Sequence, residues 1–363
     1  MHTVSKPLNT AVYKIEQPEG PLTEGDLKSI AECGRIIKEG GLVAFPTETV
    51  YGLGGDALNE GSAEKIYSAK GRPSDNPLIV HIADMASLGA IVSKIPEECR
   101  ILAKRFWPGP LTMVLRSSGK VPKRTTGGLD TVAVRWPDDL TAQNLIKESG
   151  GYIAAPSANI SGRPSPTAFK YVLEDMDGRI DAIIDGGINP IGLESTIVDL
   201  SGDRIMVLRP GFITNEMLSE ALGREVITDP ALLDPECKDR PKAPGMRYRH
   251  YAPKGEVRPV RGDGEAVQAY IKDELAAAKS EGKKTGVFCS SEHAQEYDAD
   301  VIRSAGSLDD AVRAAHEFYS ALRDMDGGNV DVIFVENFTD RGFGQAFWNR
   351  LLKSAGSKWE EIK

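Results

Sequence analysis

Along the first two-thirds of the chain, apolar and polar positions alternate in short runs that change period every ten to twenty residues. Residues 11–15 alternate like a half-buried strand. Residues 26–38 then set Leu27, Ile30, Ala31, Ile36 and Ile37 roughly on one face of a helix that Gly40-Gly41 stops. Residues 42–45 read as a short buried strand, and Ser62 is placed to cap a helix that runs to about Ala69 and is closed by Gly71 and Pro73. Further strands are predicted at 78–82, 111–115, 132–135, 152–155, 182–184, 196–200 and 205–208, with helices near 96–106, 140–147 and 167–175. Several neighbouring strands are joined too tightly for helical crossovers, 196–200 with 205–208 reading as one hairpin. A mixed α/β sheet with flanking helices therefore fits better than a purely parallel one.

From about Asn215 the pattern changes. After one more helix, residues 229–253 are rich in proline and charge, show no sustained apolar period and read as a linker. Beyond it, strands at 256–260, 285–289 and 330–335 alternate with helices at 266–279 and 311–325, and a helix at 346–354 closes the chain. The expected organisation is a first domain over 11–222, a linker or lid over 223–255 and a smaller Rossmann-like α/β domain over 256–363.

Composition narrows this little. The 363 residues are 40% hydrophobic and 27% charged, ordinary for a globular protein. No window approaches the roughly 18 apolar residues of a membrane span. The start, Met1-His2-Thr3-Val4-Ser5-Lys6, lacks the apolar run of a signal peptide, so a cytoplasmic location is expected. A net charge of −9 argues against strong non-specific binding to nucleic acid, although a local basic patch stays open. Cys33, Cys99, Cys237 and Cys289 show no Cys-x-x-Cys spacing, which points to reduced thiols rather than structural zinc.

The candidate chemistry lies in polar loops at strand ends. No Gly-x-x-x-x-Gly-Lys-Ser/Thr is present, and the loose Gly52-Leu53-Gly54-Gly55-Asp56-Ala57 match to a dinucleotide loop is followed by Asn59-Glu60-Gly61, which is expected to interrupt a helix there. Cations sit instead at turns and strand ends: Lys70 and Arg72 in Lys70-Gly71-Arg72-Pro73, Arg135 closing Thr131-Val132-Ala133-Val134-Arg135, and Arg209 before Pro210-Gly211. Together they could surround a triphosphate, the arginines bidentate and the lysine a point charge. Residues 155–166 add serines, an asparagine and bare backbone amides, and Leu193-Glu194-Ser195-Thr196 has a similar profile. Taken singly, each of these is a solvated charge or a self-satisfied turn, and His81 a satisfied strand histidine. Their shared placement points to a phosphate-bearing substrate beside a small polar one.

Phe45 to Gly54, Lys70-Gly71-Arg72-Pro73 with Asn76-Pro77-Leu78 and His81, Ala155-Pro156-Ser157-Ala158-Asn159, Glu194-Ser195-Thr196 and Leu208-Arg209-Pro210-Gly211 resemble, in order and spacing, the YrdC-like fold of threonylcarbamoyl-AMP synthases. Ala243-Pro244-Gly245-Met246-Arg247-Tyr248-Arg249-His250-Tyr251-Ala252-Pro253 is similar to the linker of the two-domain form, so the resemblance covers nearly the whole chain. It implies a nucleotidyltransferase that joins L-threonine, bicarbonate and ATP into threonylcarbamoyl-AMP and releases pyrophosphate. The product would pass to the downstream machinery that transfers it to a tRNA adenosine, with direct contact to tRNA or other double-stranded RNA left open and no membrane involved. Mg²⁺ would be held mainly by the ATP phosphates, with no protein side-chain ligands.

Position by position, the resemblance assigns Thr49, His81, Arg135 and Ser195 to L-threonine, Arg135 pairing its carboxylate. Arg72, Asn76, Thr131, Ser157, Ser165 and Arg209 go to ATP, Tyr248 to a lid folded over the nucleotide, and Lys70 with Arg72 to the reacting phosphate or carbamate. Two other classes remain. A hydrogenase-maturation carbamoyltransferase shares the module but is expected to add an acylphosphatase region and cysteine-rich zinc fingers, and this chain has no Cys-x-x-Cys. A non-catalytic RNA-binding module could use the same basic concavity.

Overall fold

Thr23 fixes where the first helix begins. Its hydroxyl accepts the Asp26 amide at 3.1 Å while the Asp26 carboxylate accepts the Thr23 amide at 2.9 Å, a reciprocal cap of the kind that contributes about 1 kcal/mol. Helix α1 therefore spans Glu24–Lys38 and starts ahead of its apolar face. A computed structural model of the chain describes residues 8–18, 20–232, 243–244, 251–336, 338 and 342–362. It divides into two units, the first comprising the chain up to Ser161 with Pro166–Pro190 and Glu194–Arg247, the second Gly162–Ser165, Ile191–Leu193 and Tyr248–Lys363.

In the first unit the strands are β1 (Ala11–Lys14), β2 (Val43–Phe45), β3 (Gly52–Asp56), β4 (Ile79–His81), β5 (Leu111–Arg116), β6 (Thr131–Arg135), β7 (Ile153–Ala154), β8 (Ala182–Asp185), β9 (Thr196–Asp199), β10 (Met206–Arg209) and β11 (Ile227–Thr228). The helices after α1 are α2 (Glu60–Lys70), α3 (Met85–Ile91), α4 (Glu97–Phe106), α5 (Leu140–Glu148), α6 (Phe169–Met176) and α7 (Asn215–Leu222). The strands form one 11-stranded sheet in the order β1-β8-β2-β3-β7-β4-β6-β5-β9-β10-β11. It is mixed, as the tight connections require: β4 runs parallel to β6, for instance, while β5 and β6, and β9 and β10, pair antiparallel. Both faces are buried. Along β2, Val43 and Phe45 join a cluster with Ile30 and Ile37 of α1 and Leu145 of α5, while Ala44 between them joins a larger cluster with Ile66 of α2 and Leu102 of α4.

Three local expectations change. Asn59, not Ser62, caps α2: its side chain accepts the Gly61 amide at 2.9 Å, so Glu60-Gly61 opens the helix rather than interrupting it. The glycine-rich 52–56 segment is a strand because its neighbours leave no room for side chains; a Cβ on Gly54 would stand 2.9 Å from the Ile153 side chain and from the Phe45 ring. Part of the stretch read as linker over 223–255 belongs to the sheet, since β11 pairs in parallel with β10.

The second unit has a parallel sheet of β12 (Glu256–Gly262), β13 (Thr285–Cys289), β14 (Val301–Ser304), β15 (Val332–Val335) and β16 (Glu360–Ile362), ordered β14-β13-β15-β12-β16. Helices α8 (Gly264–Ser280), α9 (Ala311–Gly327) and α10 (Gly344–Ser354) lie between the strands, except that β14 follows β13 with no helix between them, giving the expected Rossmann-like pattern. The edge strands β14 and β16 escape the sequence pattern because half or more of their residues are exposed or partly exposed. Among the described residues, no helix is long and apolar enough to cross a membrane. Cys33, Cys99 and Cys289 are buried free thiols, each pushed up to about 12 by burial; Cys237 lies outside the described residues.

Candidate functional site

Sheet register builds the centre of the site. Thr112 on β5 lies opposite Arg135 on β6, and Arg135 lies opposite His81 on β4. Residues in register project to the same face of a sheet, so a hydroxyl, a guanidinium and an imidazole stand in a row. All three are buried, at 0%, 4% and 3% exposure. Ser195, just before β9, extends the row: its Oγ lies 2.8 Å from the Thr112 hydroxyl. Arg209, at the end of β10, donates from Nε to the Ser195 carbonyl at 3.0 Å and from Nη2 to its hydroxyl at 3.1 Å. Two positions along the same strands, Ile79, Ala133 and Val114 form with Ile197, Leu208 and Ala243 an apolar floor beside this polar row. Ala243 comes from the stretch expected to fold over the site. Its neighbour Pro244 accepts from Arg209 Nη1 at 3.5 Å, whereas Tyr248 and residues 245–250 lie outside the described residues.

The β2–β3 loop supplies the opposing wall. Glu48 places a carboxylate oxygen 2.7 Å from Arg135 Nη2, and the two side chains are only 8% and 5% exposed. Neither Glu48 oxygen, nor Arg135 Nε or Nη2, nor His81 Nδ1 is in an aligned hydrogen bond, so this buried cluster holds polar atoms that a ligand could satisfy. Thr47 on one side of Glu48 donates its only hydroxyl proton to the Val50 carbonyl at 2.8 Å. Thr49, whose Oγ lies 2.9 Å from that of Thr47, must therefore donate to it, which leaves the Thr49 lone pairs as acceptors. Burial, reinforced by the Arg135 charge, pushes the His81 imidazole down to about 3, so it is neutral at ordinary pH. Asp139 caps α5 by accepting the Ala142 amide at 2.7 Å, and burial together with the Glu48 charge pushes its carboxyl up to about 7.

The other candidates assigned to the nucleotide sit on separate segments, with Lys70 and Ser157 meeting at one loop. Lys70 is the last residue of α2, which Gly71 ends in the left-handed conformation at φ 61°. Its buried ammonium donates to the carbonyls of Ser157 and Asn159 and to Asn159 Oδ1, and Ser157 Oγ donates to the same Oδ1 at 2.5 Å. That loop is zipped to β3, with Leu53 N donating to Pro156 O and Ala158 N to Tyr51 O, both at 2.8 Å. Arg72 braces the turn by donating from Nη2 to the Pro77 carbonyl at 3.2 Å, and Asn76 is buried with an Oδ1 that makes no hydrogen bond. Thr131 opens β6 on the same face as Arg135, partly buried. Ser165 is buried, and its segment Gly162–Ser165 is grouped with the second unit.

Sequence reasoning passed over Glu48, Thr112 and Asn189. Asn189 is 1% exposed and donates from Nδ2 to the Thr47 carbonyl, so it holds the β2–β3 loop from the far side. A carboxylate between two threonines, at the end of an apolar strand, was the signal available for Glu48; Thr112 could be found only once strand register was known. Chemically, the site offers cations, hydroxyls and a neutral imidazole, which can position and neutralise anions. Among the described residues, no group of three or more His, Cys, Asp or Glu side chains could hold a metal ion.

Comparison with known proteins is consistent from end to end. A family model described as "Telomere recombination", for Sua5, YciO and YrdC proteins, matches residues 35–211, and one described as "Threonylcarbamoyl-AMP synthase, C-terminal domain" matches 213–356. The chain is 50% identical over 321 residues to the threonylcarbamoyl-AMP synthase of Pyrococcus abyssi, covering 88% of this chain and 92% of that protein. It is 45% identical over 330 residues to the Bacillus subtilis protein of the same name, covering 91% and 93%. A crystal structure of P. abyssi Sua5 complexed with L-threonine superposes with a TM-score of 0.91 at 46% identity, over 98% of this chain and 100% of that one.

Proposed function

This chain belongs to the two-domain threonylcarbamoyl-AMP synthase family, and from that membership we propose how its residues divide the work. The enzyme joins L-threonine, bicarbonate and ATP into threonylcarbamoyl-AMP, releases pyrophosphate and so serves threonylcarbamoyl-adenosine modification of tRNA. Its chemistry is that of a nucleotidyltransferase. Threonine's amine, once it has given up the proton it carries in the bound zwitterion, attacks the bicarbonate carbon, giving a carbamate and water. A carbamate oxygen then attacks the ATP α-phosphorus in line, and pyrophosphate leaves.

No protein nucleophile takes part. Arg135 pairs the threonine carboxylate, with Thr49, His81 and Ser195 around it; a His81 that stays neutral can share a small pocket with Arg135 without repelling it. Arg72, Asn76, Thr131, Ser157, Ser165 and Arg209 serve the nucleotide, and Lys70, which anchors the loop that carries Ser157, acts with Arg72 at the reacting phosphate or carbamate. Mg²⁺ travels on the phosphates, whose charge it neutralises, and no side-chain cage is assigned to it. The observation that supports this reading is the buried row of Thr112, Arg135 and His81 linked through Ser195 to Arg209, because it joins side chains assigned to threonine to a cation assigned to the nucleotide. The relatives do not favour the RNA-binding or carbamoyltransferase readings.

Mass spectrometry of the product formed from labelled bicarbonate, threonine and ATP tests the proposal. The label should appear in an adenylate that also contains threonine, with pyrophosphate released only when both co-substrates are present. Pyrophosphate release that is indifferent to threonine would overturn it.

A further inference from the structure

We propose that Glu48 is the receptor for the substrate's ammonium group, and that its ion pair with Arg135 is an internal stand-in for the zwitterion the pocket accepts. The inference rests on the assignment of Arg135 to the threonine carboxylate. Glu48 and Arg135 are buried side by side at 2.7 Å, yet both Glu48 oxygens and two guanidinium nitrogens lack an aligned hydrogen bond. A buried pair of full charges is expected to be hydrogen-bonded throughout, since desolvation otherwise outweighs the attraction. The charges are therefore matched to each other while their hydrogen-bonding capacity is kept in reserve.

Consider what a bare carboxylate ligand would do on reaching Arg135. It would compete with Glu48 for the same cation and leave a second anion in a buried space. Asp138 and Asp139, which follow β6, are the other acidic groups that interact with Glu48, and burial followed by the Glu48 charge pushes both carboxyls up. The neutral His81 contributes no compensating charge. An α-amino acid removes the conflict: its carboxylate takes Arg135, and its ammonium takes the Glu48 oxygens, with the Thr49 hydroxyl next in the chain offering acceptor lone pairs. One internal ion pair becomes two. Glu48 thus makes the pocket selective for a zwitterion over a simple hydroxy acid.

The test is equilibrium binding of L-threonine and of its desamino counterpart, 3-hydroxybutyrate, to the full-length wild-type, Glu48→Gln and Glu48→Asp proteins. In Glu48→Gln, threonine affinity should fall about thirtyfold or more, as expected when one partner of a buried charge pair is removed. The desamino acid, which no longer displaces an anion, should bind as tightly as to wild type or tighter. Glu48→Asp keeps the charge and should keep most of the preference for threonine, and thermal melts will show that each variant is folded. A parallel loss of both ligands in folded Glu48→Gln would mean that Glu48 only braces Arg135, and unchanged threonine affinity would mean that it does not face the ammonium; either overturns the proposal. Failure of the wild type to bind threonine would instead remove the pocket assignment beneath it.

Discussion

Arg209 and Ser195 are joined twice, the guanidinium Nε to the carbonyl at 3.0 Å and Nη2 to the hydroxyl at 3.1 Å. The cation proposed for the nucleotide thereby orients a hydroxyl proposed for threonine. The two substrates should be energetically coupled through this contact. Arg209→Ala is expected to raise KM for both ATP and threonine, and the Arg209→Ala/Ser195→Ala double variant should lose less than the sum of the singles, by about 1 kcal/mol in kcat/KM. Strict additivity in that cycle would show that the contact is not used in turnover.

The same contact depends on Gly211. A Cβ there would collide with the Thr196 backbone nitrogen and stand 2.7 Å from its hydroxyl and 2.8 Å from the Ser195 carbonyl carbon. Gly211→Ala should push the turn after β10 away from Ser195 and cost about 1–3 kcal/mol of stability, the usual range for overpacking. Denaturant melts report the stability loss, and the shift in KM for both substrates reports the lost alignment. A variant with wild-type midpoint and kinetics would show that the turn can yield.

The Arg135–Glu48 pair separates stability from binding. Arg135→Ala strands the Glu48 carboxylate and should cost about 3–5 kcal/mol, whereas replacing both residues by leucine should be close to neutral for folding. Threonine-dependent pyrophosphate release should be lost in both, while ATP binding, measured directly, changes less. Equal losses of threonine and ATP affinity in Arg135→Ala would undo the assignment of Arg135 to the amino acid.

How much of this could be read in the chain itself is clearest at particular residues. Arg135 and Arg209 stood out only through the placement they share with Lys70 and Arg72 beside turn-rich loops, since each taken singly reads as a solvated charge at a strand end, and the 196–200/205–208 hairpin was legible because its connection is short. Glycine hid β3, since strand propensity is a statement about side chains and this strand exists because its neighbours exclude them. Thr112 was not recoverable, because its place comes from cross-strand register, and Glu48 was marked only by its position between two threonines, since its meeting with Arg135 of β6 is a long-range relation. Asn59 was misread because Glu60-Gly61 weighs against a helix by propensity, while the cap that overrides it is one hydrogen bond from one side chain.

Two buried titrations should oppose each other. His81, held down to about 3, stays unprotonated in the folded chain while the unfolded chain takes up a proton below about 6.5, so its contribution to stability is present above that value and lost as pH falls. Asp139, held up to about 7, keeps its proton in the folded chain where the unfolded chain has lost it, so its contribution is present below about 3.9 and lost as pH rises towards 7. Between about pH 4 and 6.5 the slopes have opposite sign, each at most about 1.4 kcal/mol per pH unit. The stability difference between wild type and His81→Asn should therefore grow with pH across this window, and that between wild type and Asp139→Asn should shrink. Differences that stay flat would mean that neither group titrates differently on folding.

Lys70 has the last and most discriminating substitution. Its ammonium is buried and donates to two carbonyls and the Asn159 side chain, all in the loop that presents Ser157. A charged hydrogen bond of this kind contributes about 1.5–3 kcal/mol, so Lys70→Met should destabilise the fold measurably and loosen the 157–159 loop. If loop placement is the whole of its role, the kinetic effect falls on KM for ATP and kcat is nearly kept at saturation. If the ammonium also moves to the α-phosphorus during the reaction, kcat falls as well, by the factor of about 100 or more that loss of a charge-stabilising donor brings. The proposed role beside the reacting phosphate predicts the second pattern, and a pure KM effect would confine Lys70 to holding the loop.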